Sequence, residues 1–372
     1  MAVHKLTADL ARAIDGGEIG LQVAAYQGEE LLVDDWAGLA DTATRRPVDG
    51  ETLFHGFAHA KVLTNLALHL QVERGLVGVD VPVADYWPEF AAGGKAEITV
   101  GMVLSHECGL PQMPAGVTPE LQADWDWMVS GLAKERPLYR PGTASAYLII
   151  SYGWIIGEVV RRTDPARRPF GQFVKEEICR PLGIADVWLG LPAAEESRMV
   201  RLYRPELPPP PDPPPPYAKL AQPPAVAVGP EVYNRPDVQR SCLPGTGGIG
   251  TARGFARLMA LIANSGRLGG VRLLSEETVG GFKTPRLNRY EVDLSLPYLP
   301  PLGRAGFWIG GTAEVGFSPA IVFMPGVGGI VWADLDRRIG GAILHNRLFG
   351  PPAPSGRHPF GPIGAAIAAL AR

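Results

Sequence analysis

Leu53-Phe54-His55-Gly56-Phe57-Ala58-His59-Ala60-Lys61-Val62-Leu63 stands between an alternating hairpin pattern and a long apolar helical pattern. The stretch reads as a helix N-terminus whose first turn carries Ala58 and Lys61, with the helix continuing from Val62 to Glu73. Residues three apart on a helix share a face, so these two side chains point into one space. A lysine flanked by Val62, Leu63 and aromatic residues is expected to lose its water and to have its pKa lowered toward neutrality. Such an amine can act as a general base. The position three residues before it offers only a methyl group.

Upstream, Ile19 to Tyr26 and Glu30 to Trp36 alternate apolar and polar residues around Gln27-Gly28-Glu29, which reads as a β-hairpin. Downstream, the helix is expected to end near Gly75. A short helix is expected over Gly101 to His106, and an apolar one over Leu148 to Val160 after the turn Tyr139-Arg140-Pro141-Gly142-Thr143. Pro208 to Pro216, interrupted only by Asp212, predicts an exposed polyproline II loop. Gly245-Thr246-Gly247-Gly248-Ile249-Gly250 precedes a helix predicted over Phe255 to Ser265; without a following Gly-Lys-Ser/Thr it is a poor phosphate loop. Strands are expected at Ala305 to Gly310, Ala320 to Phe323, Gly329 to Leu335 and Gly340 to Asn346, then an apolar helix from Gly361. Strands at both ends with helices between imply an α/β or α+β sheet in which the two ends pair.

The chain has 372 residues, 46% hydrophobic and 20% charged, with a net charge of −3. That balance gives no reason to expect nucleic acid or an anionic membrane as partner. Met1 to Gly17 reads as an amphipathic helix with Leu6, Leu10 and Ile14 in register, and lacks the apolar core of a signal peptide. No apolar run approaches the roughly 20 residues of a membrane span. Cys108, Cys179 and Cys242 are odd in number and widely spaced, which predicts neither a disulfide framework nor a zinc site. The expectation is a reduced, cytoplasmic protein.

Several segments together resemble the serine β-lactamase-like superfamily, in its class C β-lactamase, family VIII esterase and penicillin-binding-protein-like branch. They are Asp49 to Phe54, Leu104-Ser105-His106-Glu107-Cys108-Gly109-Leu110-Pro111, Tyr139 to Tyr147, Gly248 to Arg257, Met324-Pro325-Gly326-Val327-Gly328-Gly329, and the strand ending at Asn346-Arg347. The resemblance implies a serine β-lactamase-like fold. Its antiparallel sheet comes from both chain ends (about 1–60 and 240–372) and is flanked by helices; an all-helical part spans about 61–200, and the Pro-rich loop covers 205–217. It places the active site in the cleft between the two parts.

In such proteins a serine three residues before the lysine forms an acyl-enzyme, and the lysine and a tyrosine move protons. Carried over, Lys61 and Tyr147 match, and Ala58 stands at the nucleophile position. Ile149 stands where an asparagine is usual, and Met324, ahead of Pro325 and Gly326, where a lysine or histidine is usual. Ile149, Met324 and Gly326 are therefore expected against the substrate. His59, inside the motif, is a candidate acid–base group. His55 and His59 are four apart, a metal-binding spacing on one helix face, but no third ligand is evident, so no metal and no cofactor are expected.

Three readings follow. The first is a hydrolase or acyltransferase for a small ester, lactone or amide whose serine has been replaced by Ala58. The second is a natural serine-less member using Lys61, Tyr147 and His59 for elimination, isomerisation or cyclisation. The third is a non-catalytic binder. The expected partner is a small molecule; no oligomeric state is assigned.

Overall fold

A computed structural model describes residues 3–204, 212–348 and 359–371. Its centre is a seven-stranded antiparallel sheet in the order β3-β2-β1-β12-β11-β10-β9. From the N-terminal end come β1 (Gly20–Gln27), β2 (Glu30–Asp41) and β3 (Arg46–Pro47). From the C-terminal end come β9 (Trp308–Thr312), β10 (Gly316–Gly326), β11 (Gly329–Asp334) and β12 (Ile339–His345). The two ends meet where β1 pairs with β12, Val23 opposite Ile343 and Ala24 opposite Ala342.

The strands β11 and β12 are buried along their whole length. Both faces are therefore covered, which explains why they read as near-continuous apolar runs rather than as alternating ones. A second, three-stranded sheet joins β4 (Phe54–Phe57), β5 (Val187–Leu189) and β6 (Gly248–Gly250) in the order β4-β6-β5. The hairpin at Gly269-Gly270 forms between β7 (Arg267–Leu268) and β8 (Val271–Arg272). The α1 helix spans Thr7–Asp15. Among the described residues, no helix is long and apolar enough to cross a membrane.

The organising stretch is half strand, half helix. Residues 54–57 are β4, and α2 begins only at Ala60 and runs to Glu73. All of α2 from Ala60 to Gln71 is buried, so its polar side chains must find partners within the protein. They find backbone carbonyls on three different segments. Lys61 Nζ donates to Ile149 O and Gly245 O, both at 2.8 Å. Thr64 donates to Pro244 O at 2.7 Å, Asn65 to Gly306 O at 2.9 Å, and His69 Nε2 lies 3.1 Å from Ala305 O. The helix thus ties the 149, 244–245 and 305–306 segments around itself.

One glycine makes that arrangement possible. A Cβ on Gly153 would lie 2.2 Å from Gly245 N, so only glycine lets the helix Ser151–Thr163 approach the 244–245 segment. That helix starts three residues later than its apolar run implies. Ahead of it, the Leu148 N–H is bonded to His106 Nδ1 at 2.9 Å and the Ile149 carbonyl to Lys61. The helix over Ala252–Ala263 starts three residues earlier than expected, because Thr251 caps it by accepting the Gly254 N–H. Residues 208–211 of the polyproline segment lie outside the described residues; residues 212–216 form a bend and turn before a short helix, Ala218–Ala221.

Candidate active site

Phe57, the last residue of β4, has φ +49, a left-handed conformation that a bulky side chain adopts only under constraint. The bend it imposes presents Ala58 half-buried at the floor of a cavity of about 440 Å³. The Lys61 N–H closes on Ala58 O at 2.8 Å, which places both residues in one tight turn. Lys61 lines the same cavity. Burial strips its ammonium of water and lowers its pKa from 10.5 to about 7.

Tyr147 stands across from the lysine, with its ring centroid 5.5 Å from Lys61 Nζ, and lines the same cavity. Burial pushes the phenol pKa upward, so it stays protonated. Two contacts hold this tyrosine. Its ring stacks on His106 at 4.2 Å between centroids, and its backbone N–H donates to Asp293 Oδ1 at 3.0 Å. His106 is itself at φ +60, and burial, with Lys61 and Arg286 nearby, depresses its pKa well below the usual range. The neutral ring accepts the Leu148 N–H on Nδ1 at 2.9 Å.

Asp293 is an anchor that the sequence did not announce. It also accepts the N–H groups of Ser295 at 2.9 Å and Leu296 at 3.0 Å, and Ser145 Oγ at 2.7 Å. The loop it heads contributes Leu296 and Tyr298 to the cavity wall. Asp293→Ala would leave these buried donors unpaired and free the Tyr147 backbone. The expected cost is about 2–4 kcal/mol of folding stability, read by urea unfolding.

Of the residues expected at the site, Ala58, Lys61, Tyr147, Ile149 and Gly326 line one cavity; His59 and Met324 do not. His59 follows the turn to the opposite side and packs edge-on against Phe255 at 5.4 Å. Complete burial lowers its pKa to about 3, only partly offset by the Gly329 backbone. Fully buried and off the cavity wall, it does not stand against the substrate space as its candidacy as an acid–base group expected. Met324 is fully buried behind the wall, where its neighbours Phe323 and Pro325 face the cavity. Successive residues of a strand point to opposite faces, and β10 keeps that alternation here.

Gly326 earns its place by closeness. A Cβ there would lie 2.7 Å from Gly56 O. Gly326→Ala is expected to push β10 away from residues 56–58 and to cost about 1–3 kcal/mol, measured as a lower denaturation midpoint.

The metal reading of His55 and His59 fails on geometry, because His55 sits in a strand and bonds Tyr233 O at 3.0 Å. No group of three or more potential metal ligands occurs among the described residues. Cys108 is a buried hydrophobe, its thiol pushed up to about 12 by desolvation. Trp308 is buried and also lines the cavity, while Phe307 is buried in the core.

A sequence profile described as beta-lactamase matches residues 5–360. The chain belongs to the beta-lactamase family. Within this family it is 30% identical over 350 residues to a protein named "Esterase/beta-lactamase LipL" of Mycobacterium tuberculosis, covering 89% of this chain and 78% of that one. The fold superposes on a family VIII carboxylesterase with a TM-score of 0.86 at 27% identity, covering 99% of both chains. A penicillin-binding protein homologue from Caulobacter crescentus gives 0.80 at 32% identity and 94% of both chains. These beta-lactamase-family likenesses span both the sheet and the segments that carry Lys61 and Tyr147.

The pKa shift of Lys61 has a consequence for stability. Folding lowers this pKa from 10.5 to about 7, so between those values the unfolded chain binds a proton that the folded chain does not. The resulting penalty is complete below pH 7 and is relieved as pH rises through the window. Relative to Lys61→Met, the unsubstituted chain should therefore gain about 2 kcal/mol between pH 7 and pH 9, the slope approaching about 1.4 kcal/mol per unit only above pH 8, in paired urea melts.

Proposed function

We propose that this chain carries the acyl-transfer site of a beta-lactamase-fold, esterase-type hydrolase for a small, mainly apolar ester, lactone or amide, without its attacking hydroxyl. In its present form it binds such a compound and does not form an acyl-enzyme on residue 58. The observation that carries the reading is the turn in which Ala58 and the amine of Lys61 line one cavity opposite Tyr147.

Two departures that look adverse in sequence weigh little in space. Ile149 serves the lysine through its carbonyl, which any residue supplies. Met324 is not on the cavity wall. The wall itself is rich in apolar groups, including Phe57, Leu296, Trp308 and Phe323, which suits an apolar substrate.

With a hydroxyl on residue 58, the neutral amine of Lys61 would take its proton as the oxygen attacks the carbonyl carbon. The phenol of Tyr147 would protonate the leaving group. The test is intact-mass spectrometry after incubation with p-nitrophenyl butyrate. Ala58→Ser should gain one hydroxylamine-labile butyryl group on residue 58, whereas the unsubstituted chain should gain none there. No adduct on a folded Ala58→Ser variant would sink the reading.

A second reading, proton transfer without a covalent intermediate, is favoured by the Lys61 pKa of about 7. It predicts that conversion of an isomerisable or eliminable substrate by the unsubstituted chain is lost in Lys61→Met.

A further inference from the structure

Two lysines are buried in this molecule, and their hydrogen bonding differs in a way that decides their chemistry. Lys95 Nζ donates to three carbonyls, those of Ala92, Ala133 and Glu135. Three acceptors consume all three protons of an ammonium, and this lysine does not line the active-site cavity. Lys61 Nζ donates to two carbonyls, Ile149 O and Gly245 O, each at 2.8 Å. A neutral amine has two N–H donors and one lone pair. The two carbonyls use both donors and leave the lone pair as the remaining tetrahedral position.

In the same turn as that amine stands the methyl of Ala58, which can neither donate a hydrogen bond to the lone pair nor compete with it as a nucleophile. We propose that Lys61 is itself a covalent nucleophile, capturing small apolar aldehydes in the cavity as a reversible imine. Amines desolvated in apolar pockets serve this role elsewhere in protein chemistry. The lowered pKa of Lys61, about 7, supports the geometric argument.

The step balances without an oxidant or reductant. The nitrogen lone pair forms a bond to the aldehyde carbon, the carbonyl electrons move to oxygen, and that oxygen takes the proton that nitrogen sheds. The carbinolamine then loses its hydroxyl as water, the proton coming from the remaining N–H of the nitrogen, as nitrogen forms the C=N double bond and gives up its hydrogen bonds to the Ile149 and Gly245 carbonyls. The protonated phenol of Tyr147, whose ring lies 5.5 Å from Nζ, is placed to assist departure of that hydroxyl. Water reverses both steps.

The inference uses the same cavity as the proposed acyl-transfer site but stands on the lone pair of Lys61, not on any ester chemistry. Its test uses the full, unsubstituted chain with benzaldehyde and sodium cyanoborohydride near pH 7, followed by intact-mass spectrometry and peptide mapping. The reductant adds hydride to the imine carbon and fixes the adduct as a secondary amine. One benzyl group on Lys61 is expected, formed at least ~10-fold faster than on any other lysine, because ordinary lysines are almost wholly protonated at that pH.

Lys95, also buried, should remain unlabelled, and an Ala58→Ser variant should label Lys61 more slowly because its hydroxyl engages the lone pair. Labelling spread over surface lysines with Lys61 unmodified would overturn the proposal, as would equal labelling of Lys61 and Lys95. An Ala58→Ser variant that acylates while Lys61 of the unsubstituted chain ignores aldehydes would remove this inference and leave the acyl-transfer reading standing. The converse result would do the opposite.

Discussion

The Ala58→Ser variant is expected to turn over p-nitrophenyl butyrate with a stoichiometric burst, at a rate several orders of magnitude above the unsubstituted chain. Nucleophiles of covalent enzymes carry effects of that size because their partners are wasted without them. Here the partners are already in position. Phe57 is held at φ +49 and aims residue 58 into the cavity. Lys61 shares the turn, its amine fixed by two carbonyls at 2.8 Å. Tyr147 is locked by stacking on His106 and by the Asp293 bond to its backbone. A serine needs only two torsions to be set, and none of the surroundings must be rebuilt. Stopped-flow release of nitrophenolate reads the result. A variant that is folded but shows only the background rate would mean that the cavity does not hold an ester in attack geometry.

The second large effect is expected when Lys61 is removed from that same background. The Ala58→Ser, Lys61→Met double variant should lose about 10²- to 10⁴-fold in acylation rate, the usual contribution of a general base. Methionine keeps much of the apolar stem and removes the amine, so packing is disturbed little. The carbonyls of Ile149 and Gly245 lose their shared donor, and some stability is lost with it. Rate and stability part cleanly if acylation is followed well below the denaturation midpoint. An undiminished rate would assign the proton transfer to another group.

Much of the fold was legible in the sequence because it rests on periodicity. The apolar runs of β11 and β12 and the long helix α2 follow from their burial, whereas β1, read as alternating, is buried at both faces. The pairing of the chain ends was expected from strand-like sequence at both, and β1 does lie against β12. Less was legible where a backbone group does the work. The helix expected from Leu148 begins at Ser151, and neither the Leu148 N–H bond to His106 nor the Ile149 carbonyl bond to Lys61 leaves a trace in side-chain identity.

At the site, the spacing of Ala58 and Lys61 gave their common direction, but a spacing rule says nothing about the residue between them. His59 turned out to face Phe255. Met324 shows the same weakness on a strand, where a displacement of one residue exchanges cavity for core. Asp293 lay in a Pro-broken stretch without period, and its value comes from four hydrogen bonds that only the folded chain brings together.

Everything proposed for this cavity depends on Lys61 being a neutral amine near physiological pH. The direct measurement is an NMR titration of the lysine side chains, labelled at Cε and Nζ, in the unsubstituted protein and in Lys61→Arg. One resonance is expected to titrate near pH 7, below that of Lys95 at about 8, and to be missing from the variant. A Lys61 signal that titrates near pH 10 with the surface lysines would contradict the account.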